Sequence, residues 1–142
     1  MRPTLSTPAP TARDSVPRMR LRSHDDLYAI VRLDPGASVP DWATESPFWS
    51  VTRSDSELSI VCAQDDVPDD ASAERGWCAL ELIGPLDFSL TGVVASLVSP
   101  LADAEVPIFV LSTFETDYLL VREKDYARAV AALEDAGHGV DA

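Results

Sequence analysis

Between an apolar run at Trp77 to Ile83 and a helical stripe that opens at Leu90 lies the loop Gly84-Pro85-Leu86-Asp87-Phe88-Ser89. A loop in that position meets the unpaired N–H groups at the start of a helix and the positive end of its dipole. It therefore favours an anionic group, such as the α-carboxylate of an amino acid. Asp87 can pair with an α-ammonium or with a cationic side chain. The same residues also suit a structural role, with Asp87 and Ser89 capping the helix, and residue types alone leave both readings open. A constellation for catalysis is not found. His24, at the edge of the tail beside Ser23 and Asp25, and His138, after an expected helix end, stand in no nucleophile-histidine-carboxylate pattern. GxSxG, Walker-type and GxGxxG patterns are absent, and Gly84 and Gly92 are followed by no Lys-Ser/Thr pair to hold phosphates. We expect neither an enzyme nor a cofactor.

Cys62 and Cys78 each sit in an apolar, strand-like run, without a CxxC pair or a histidine at metal-ligand spacing. They are expected to be buried reduced thiols, not a disulfide, and no metal site is expected. The acidic run QDDVPDDASAERG at 64–76 lacks the DxDxDG spacing of a calcium loop and reads as solvated linker.

Charge narrows the partners. The 142 residues carry a net charge of −13, distributed unevenly. Residues 1–24 hold five Arg and one acid, Asp14, whereas the other 118 positions hold 23 Asp or Glu against six Lys or Arg. So acidic a folded part repels phosphate backbones, which excludes nucleic acid as the expected partner. No apolar run approaches the roughly 20 residues needed to span a bilayer, and no membrane partner is expected. The N-terminus lacks the apolar core of a secretory signal, so a cytoplasmic location is expected.

The elements that would position these residues follow from periodicity. Residues 1–24, rich in Pro, Ser, Thr and Arg, predict a disordered tail. DLYAIVRL at 26–33 alternates as a strand, a helical turn is expected near Pro40, and FWSVTR at 48–53 with ELSIVCA at 57–63 predict a β-hairpin. Trp77 to Ile83 is a third buried strand. Leu90, Val93, Val94, Leu97 and Leu101 then form one helical stripe behind Ser89 as N-cap, with Pro100 loosening its last turn. PIFVLS at 107–112 and DYLLVR at 117–122 are strands. Glu123 to Ala136 is a helix with Tyr126, Val130 and Leu133 inward and Gly137 at C′, and Gly139 to Ala142 closes a last strand. The aromatic residues Trp42, Phe48 and Trp49 either line a pocket or pack in the core.

From Trp77 onward the order is β-α-β-β-α-β, and the preceding part repeats it imperfectly. We expect an α+β fold of two ferredoxin-like modules, the first incomplete. The expected boundaries are a tail at 1–24, a first module at 25–64, an acidic linker at 65–76 and a second module at 77–142.

FWSVTRSDSELSIVC at 48–62, WCALELIGPLDFSLTGVVASLVSPLADA at 77–104 and IFVLSTFETDYLLV at 108–121 resemble the ACT domain family. Within it, the chain is similar to small bacterial proteins with paired ACT domains and to the ACT pairs of cytosolic arginine sensors of animals. The resemblance implies a ligand, usually an amino acid, held at an interface between modules near the first strand-helix loop. It makes Asp87, Phe88 and Ser89 one wall of the site, and Thr113, Phe114 and Asp117 the other. Asp117 then faces a cationic end of the ligand, or else caps its hairpin turn. Many ACT loops carry a glycine near the helix start; here Gly84 is early and Gly92 is read as inside the helix. The function expected is non-enzymatic small-molecule sensing. The alternative is a structural or protein-interaction module that has lost its ligand. Exposed sheet edges favour a homodimer. Because no catalytic or DNA-binding domain accompanies the modules, the regulated target would be a separate protein partner.

Overall fold

A computed structural model describes residues 18–83 and 92–142. Its strands are β1 (Arg20–Leu33), β2 (Ser50–Arg53), β3 (Leu58–Ala63), β4 (Ala73–Leu82), β5 (Ile108–Ser112), β6 (Asp117–Arg122) and β7 (Gly139–Asp141). The α-helices are α1 (Val93–Asp103) and α2 (Tyr126–Asp135), and short 3-10 turns occupy Asp41–Thr44, Gln64–Asp66 and Glu123–Asp125. The fold is α+β, built from two ferredoxin-like modules of which the first has 3-10 turns in place of helices.

The strands form one sheet in the order β2-β3-β1-β4-β6-β5, with β7 also paired to β1. The far half of β1, Tyr28 to Leu33, runs antiparallel to β3, while its first residues, Arg20 to Arg22, run parallel to β7. Along its other edge both halves pair with β4. β1 therefore belongs to both modules. This corrects two expectations. Residues 20–24 are strand rather than tail, and the βαββαβ unit beginning at Trp77 does not close on itself, because β7 pairs with β1 and not with β4. The physical reason is the alternation Met19-Arg20-Leu21-Arg22. Met19 and Leu21 are buried under the helices, and both arginines are outward, Arg20 paired to Asp141 and Arg22 to Glu81. β4 likewise begins four residues before Trp77, inside the stretch read as linker.

One sheet face carries Leu21, Leu80, Leu82, Leu119 and Val121 against Val93, Leu97 and Leu101 of α1 and Ala129 and Leu133 of α2. On the same face of the first module, Val31, Leu58, Ile60 and Cys62 pack beneath Ala43, Trp42 and Val67 of the 3-10 and loop segments. The opposite face bears Tyr28, Val61, Trp77, Ala79 and Leu120.

The N-cap of α1 is Gly92, in the left-handed region at φ 78°, and not Ser89, which lies outside the described residues. Gly92 is thus at the helix start, not within it. Val94, expected on the buried stripe, is largely exposed, and Ser96 takes the inward place. Pro100 does not end the helix, which continues to Asp103. Proline offers no N–H to the carbonyl four residues back. His138 replaces that donor: its Nε2 donates to the Ser96 carbonyl at 3.1 Å while its Nδ1 accepts the Met19 N–H at 3.1 Å. At the end of α2, Gly137 at φ 99° lets its own N–H reach the Glu134 carbonyl, and the His138 N–H reach that of Leu133, which aims the imidazole inward.

Two outcomes check this architecture. Leu21→Ala, harmless in a loose tail, should destabilise the protein by about 2–5 kcal/mol in urea unfolding. His138→Ala strands two buried backbone groups and should cost about 1–3 kcal/mol. That loss should be smaller in a Pro100→Ala background, where the helix regains its own donor for Ser96.

Candidate functional site

The turn between β5 and β6 is held from within and from below. The Thr113 N–H and hydroxyl both donate to the Thr116 carbonyl, at 2.8 and 3.1 Å, and the Thr116 N–H donates back to the Thr113 hydroxyl at 3.3 Å. The buried Thr116 hydroxyl donates to the Leu82 carbonyl at 2.5 Å. This fastens the turn to the end of β4, one residue before the stretch that leads into 84–91. Asp87, Phe88 and Ser89 lie outside the described residues. Of the residues expected opposite them, Phe114 is 80% exposed, and the Asp117 carboxylate accepts the Ser112 hydroxyl at 2.6 Å across the β5–β6 pair.

A second arrangement, missed in the sequence, lies on the helix-free face. Ser23 of β1 stands opposite Leu80 of β4, and Leu27 stands opposite Cys78. Four steps along β1 therefore match two along β4, and the surplus forms a bulge at His24, Asp25 and Asp26. Bulges re-aim side chains, and here they open a cavity of about 480 Å³ between the bulge, Tyr28, Phe48 and Tyr118. Glu81 holds two of the lining residues, accepting from His24 Nε2 at 2.8 Å and Arg22 Nη2 at 3.1 Å. In that tautomer His24 Nδ1 accepts the Tyr28 hydroxyl at 3.3 Å. The His24 ring lies 5.9 Å from both Phe48 and Tyr118, edge to face, and Phe48 lies 4.4 Å from Tyr118.

Burial would raise the Glu81 carboxyl, but the hydrogen bonds from His24 and Arg22 outweigh it and hold the group below the usual carboxylate range. Burial, assisted by Asp26, pushes the Tyr28 phenol up to about 12. Tyr28, His24 and Glu81 thus form a hydroxyl-imidazole-carboxylate series whose hydroxyl is made harder, not easier, to ionise. That is the opposite of nucleophile activation. The thiols fare similarly. Burial and then Asp66 push Cys62 up to about 11, and burial and then Glu123 raise Cys78. Both are free cysteines. Among the described residues no group of three or more metal-ligating side chains gathers, and no helix is long and apolar enough to cross a membrane.

Sequence reasoning gave His24 no partner because Glu81 is 57 positions away. The alternation from Met19 to Arg22 was the available signal. Of the three aromatic residues singled out, Phe48 lines the cavity, Trp42 packs against the first module's core, and Trp49 is exposed.

Residues 72–135 match the ACT domain family model, and residues 26–70 match a second model that describes an N-terminal domain. A crystal structure of an Agobacterium tumefaciens protein is similar at 42% identity and TM-score 0.84, over 88% of this chain and 93% of that one. The mouse cytosolic arginine sensor for mTORC1 subunit 1 is 39% identical over 100 residues, 65% of this chain and 30% of the sensor. The chain thus spans about a third of that sensor's length. The regulatory subunit of aspartate kinase from Thermus flavus is similar in fold alone, at 11% identity and TM-score 0.58, over 82% and 95% of the two chains.

The lowered Glu81 carboxyl binds fewer protons folded than unfolded. Its contribution is complete above the ordinary carboxylate range and is lost as the pH falls through its folded value. The stability difference between the wild type and Glu81→Gln should therefore be largest near neutral pH and close in acid, as followed by urea unfolding from about pH 7 to about pH 3.

Proposed function

The chain belongs to the ACT domain family, and from that membership we propose that it is a non-enzymatic regulatory protein that binds an amino acid or a similar small ligand. The supporting observation is the Thr116–Leu82 hydrogen bond, which holds the 113–117 turn beside the strand end that leads into 84–91. In this reading Asp87, Phe88 and Ser89 form one wall and Thr113, Phe114 and Asp117 the other. The α-carboxylate meets the N–H groups at the start of α1, and Asp117 or Asp87 takes the cationic end. The arginine named in the mouse relative supports the ligand class. A bound ligand shifts a conformational or oligomeric equilibrium by its differential affinity. A second copy or another protein, met in the cytoplasm, then reads that shift.

A second reading keeps the scaffold and drops the ligand. It is favoured by the Ser112 hydroxyl, which already occupies one oxygen of Asp117.

Thermal unfolding with each of the free amino acids separates the two. A cognate ligand at a hundred times its Kd should add about 2.7 kcal/mol of stability. Asp87→Ala or Asp117→Ala should abolish that gain while leaving the ligand-free melting temperature within a few degrees. If no amino acid raises the melting temperature, the scaffold reading stands.

A further inference from the structure

We propose that His138 makes the docking of β1 sensitive to protons: a second proton on its ring releases the start of β1 and, with it, β7. The partners of the ring fix its state. Nε2 faces the Ser96 carbonyl at 3.1 Å, a group that can only accept, so Nε2 carries the hydrogen. Nδ1 faces the Met19 N–H at 3.1 Å, a group that can only donate, so Nδ1 is bare. Both partners are backbone groups and cannot exchange roles. The one place left for a second proton is Nδ1, where it points at the Met19 N–H. Two donors then face each other in a buried site, and the Met19 N–H loses its acceptor.

His24 makes the contrast. Its Nε2 meets the Glu81 carboxylate and its Nδ1 meets the Tyr28 hydroxyl. A carboxylate welcomes a charged ring, and a hydroxyl can turn from donor to acceptor. The proton that His24 accommodates, His138 does not.

The charges around His138 do not reverse this. Arg18 and Arg20 from the β1 side and Glu134 from the end of α2 line one cavity with it. Arg20 is paired with Asp141 of β7, and Asp135 is the remaining charge at the end of α2. From α1 comes no titratable side chain between Val93 and Ala102. Arg18 opposes a positive ring and Glu134 favours one. Both are exposed and act weakly. The hydrogen-bond geometry therefore decides.

What the ring holds is short. β7 has three residues, runs parallel to Arg20–Arg22, and begins with the Gly139 N–H on the Met19 carbonyl at 2.9 Å. Losing the Met19 N–H bond loosens that ladder at its first rung, and Met19 and Leu21 lift from beneath the helices. In the opened form the ring is in water and takes up the proton that the docked form refuses. The docked end is thus fully held above the ordinary imidazole range, near pH 6.5, and its hold is lost as the pH falls below it. The device needs no ligand.

Amide hydrogen exchange of the whole chain, followed by NMR from about pH 8 to about pH 5, tests it. After correction for the intrinsic exchange rate, the opening constant of the Met19 and Gly139 amides should rise by up to tenfold per pH unit below about pH 6.5. The amides that pair β3 with the far half of β1 should not respond. His138→Gln, which has no ring to titrate, should flatten the dependence. The ¹⁵N shifts of the wild-type ring give a second readout that needs no variant. They should show the neutral tautomer with the hydrogen on Nε2 at pH 8. An opening constant independent of pH overturns the proposal. So does an equal rise in His138→Gln, or a ring with its hydrogen on Nδ1 in the folded protein.

Discussion

β1 is hydrogen-bonded along both edges, and its partners come from both modules. Its fourteen residues meet β4 on one side and, on the other, β3 and then β7. Unpaired edge groups buried from water cost about as much as lost hydrogen bonds. The three residues of β7 could not otherwise complete the sheet. The two modules are thereby fused at their centre, and neither has a complete sheet without the other's strand.

That fusion has a local consequence. β1 must keep register with β4 through both modules, and the junction carries surplus residues on each strand: two in β1 between Ser23 and Leu27, and one in β4 opposite Tyr28 to Ile30. The surplus in β1 lifts His24, Asp25 and Asp26 off the ladder. Glu81, Tyr28, Phe48 and Tyr118 then gather around the displaced histidine. The cavity is a product of joining the modules, and so it appears in no single element.

Under the helices a second histidine solves a different problem. Pro100 removes a helical donor from the Ser96 carbonyl, and the chain end of α2 delivers His138 to replace it. The same ring takes the Met19 N–H just before β1. One imidazole thus ties α1, the end of α2 and the start of β1, with both ring nitrogens occupied. A histidine so engaged is a fastening and leaves no free nitrogen for chemistry.

The sequence by itself determined what depends on near neighbours. The two-residue alternation of 26–33, the helical stripe through Val93, Leu97 and Leu101, the hairpin at Ser54 to Ser56 and the left-handed Gly137 are each set by contacts within a few residues. They were legible, and with them the α+β class and the module order. The Thr113–Asp117 turn was legible too, although its fastening to Leu82 was not. Composition misled where it overrode pattern: five arginines in 1–24 hid the apolar alternation at Met19 and Leu21. What only the tertiary structure decided is every pairing between distant positions. These are β7 against β1, His138 between Met19 and Ser96, and His24 on Glu81. Such pairs carry no local signature, because their energy comes from buried groups finding partners that chain folding alone brings within reach.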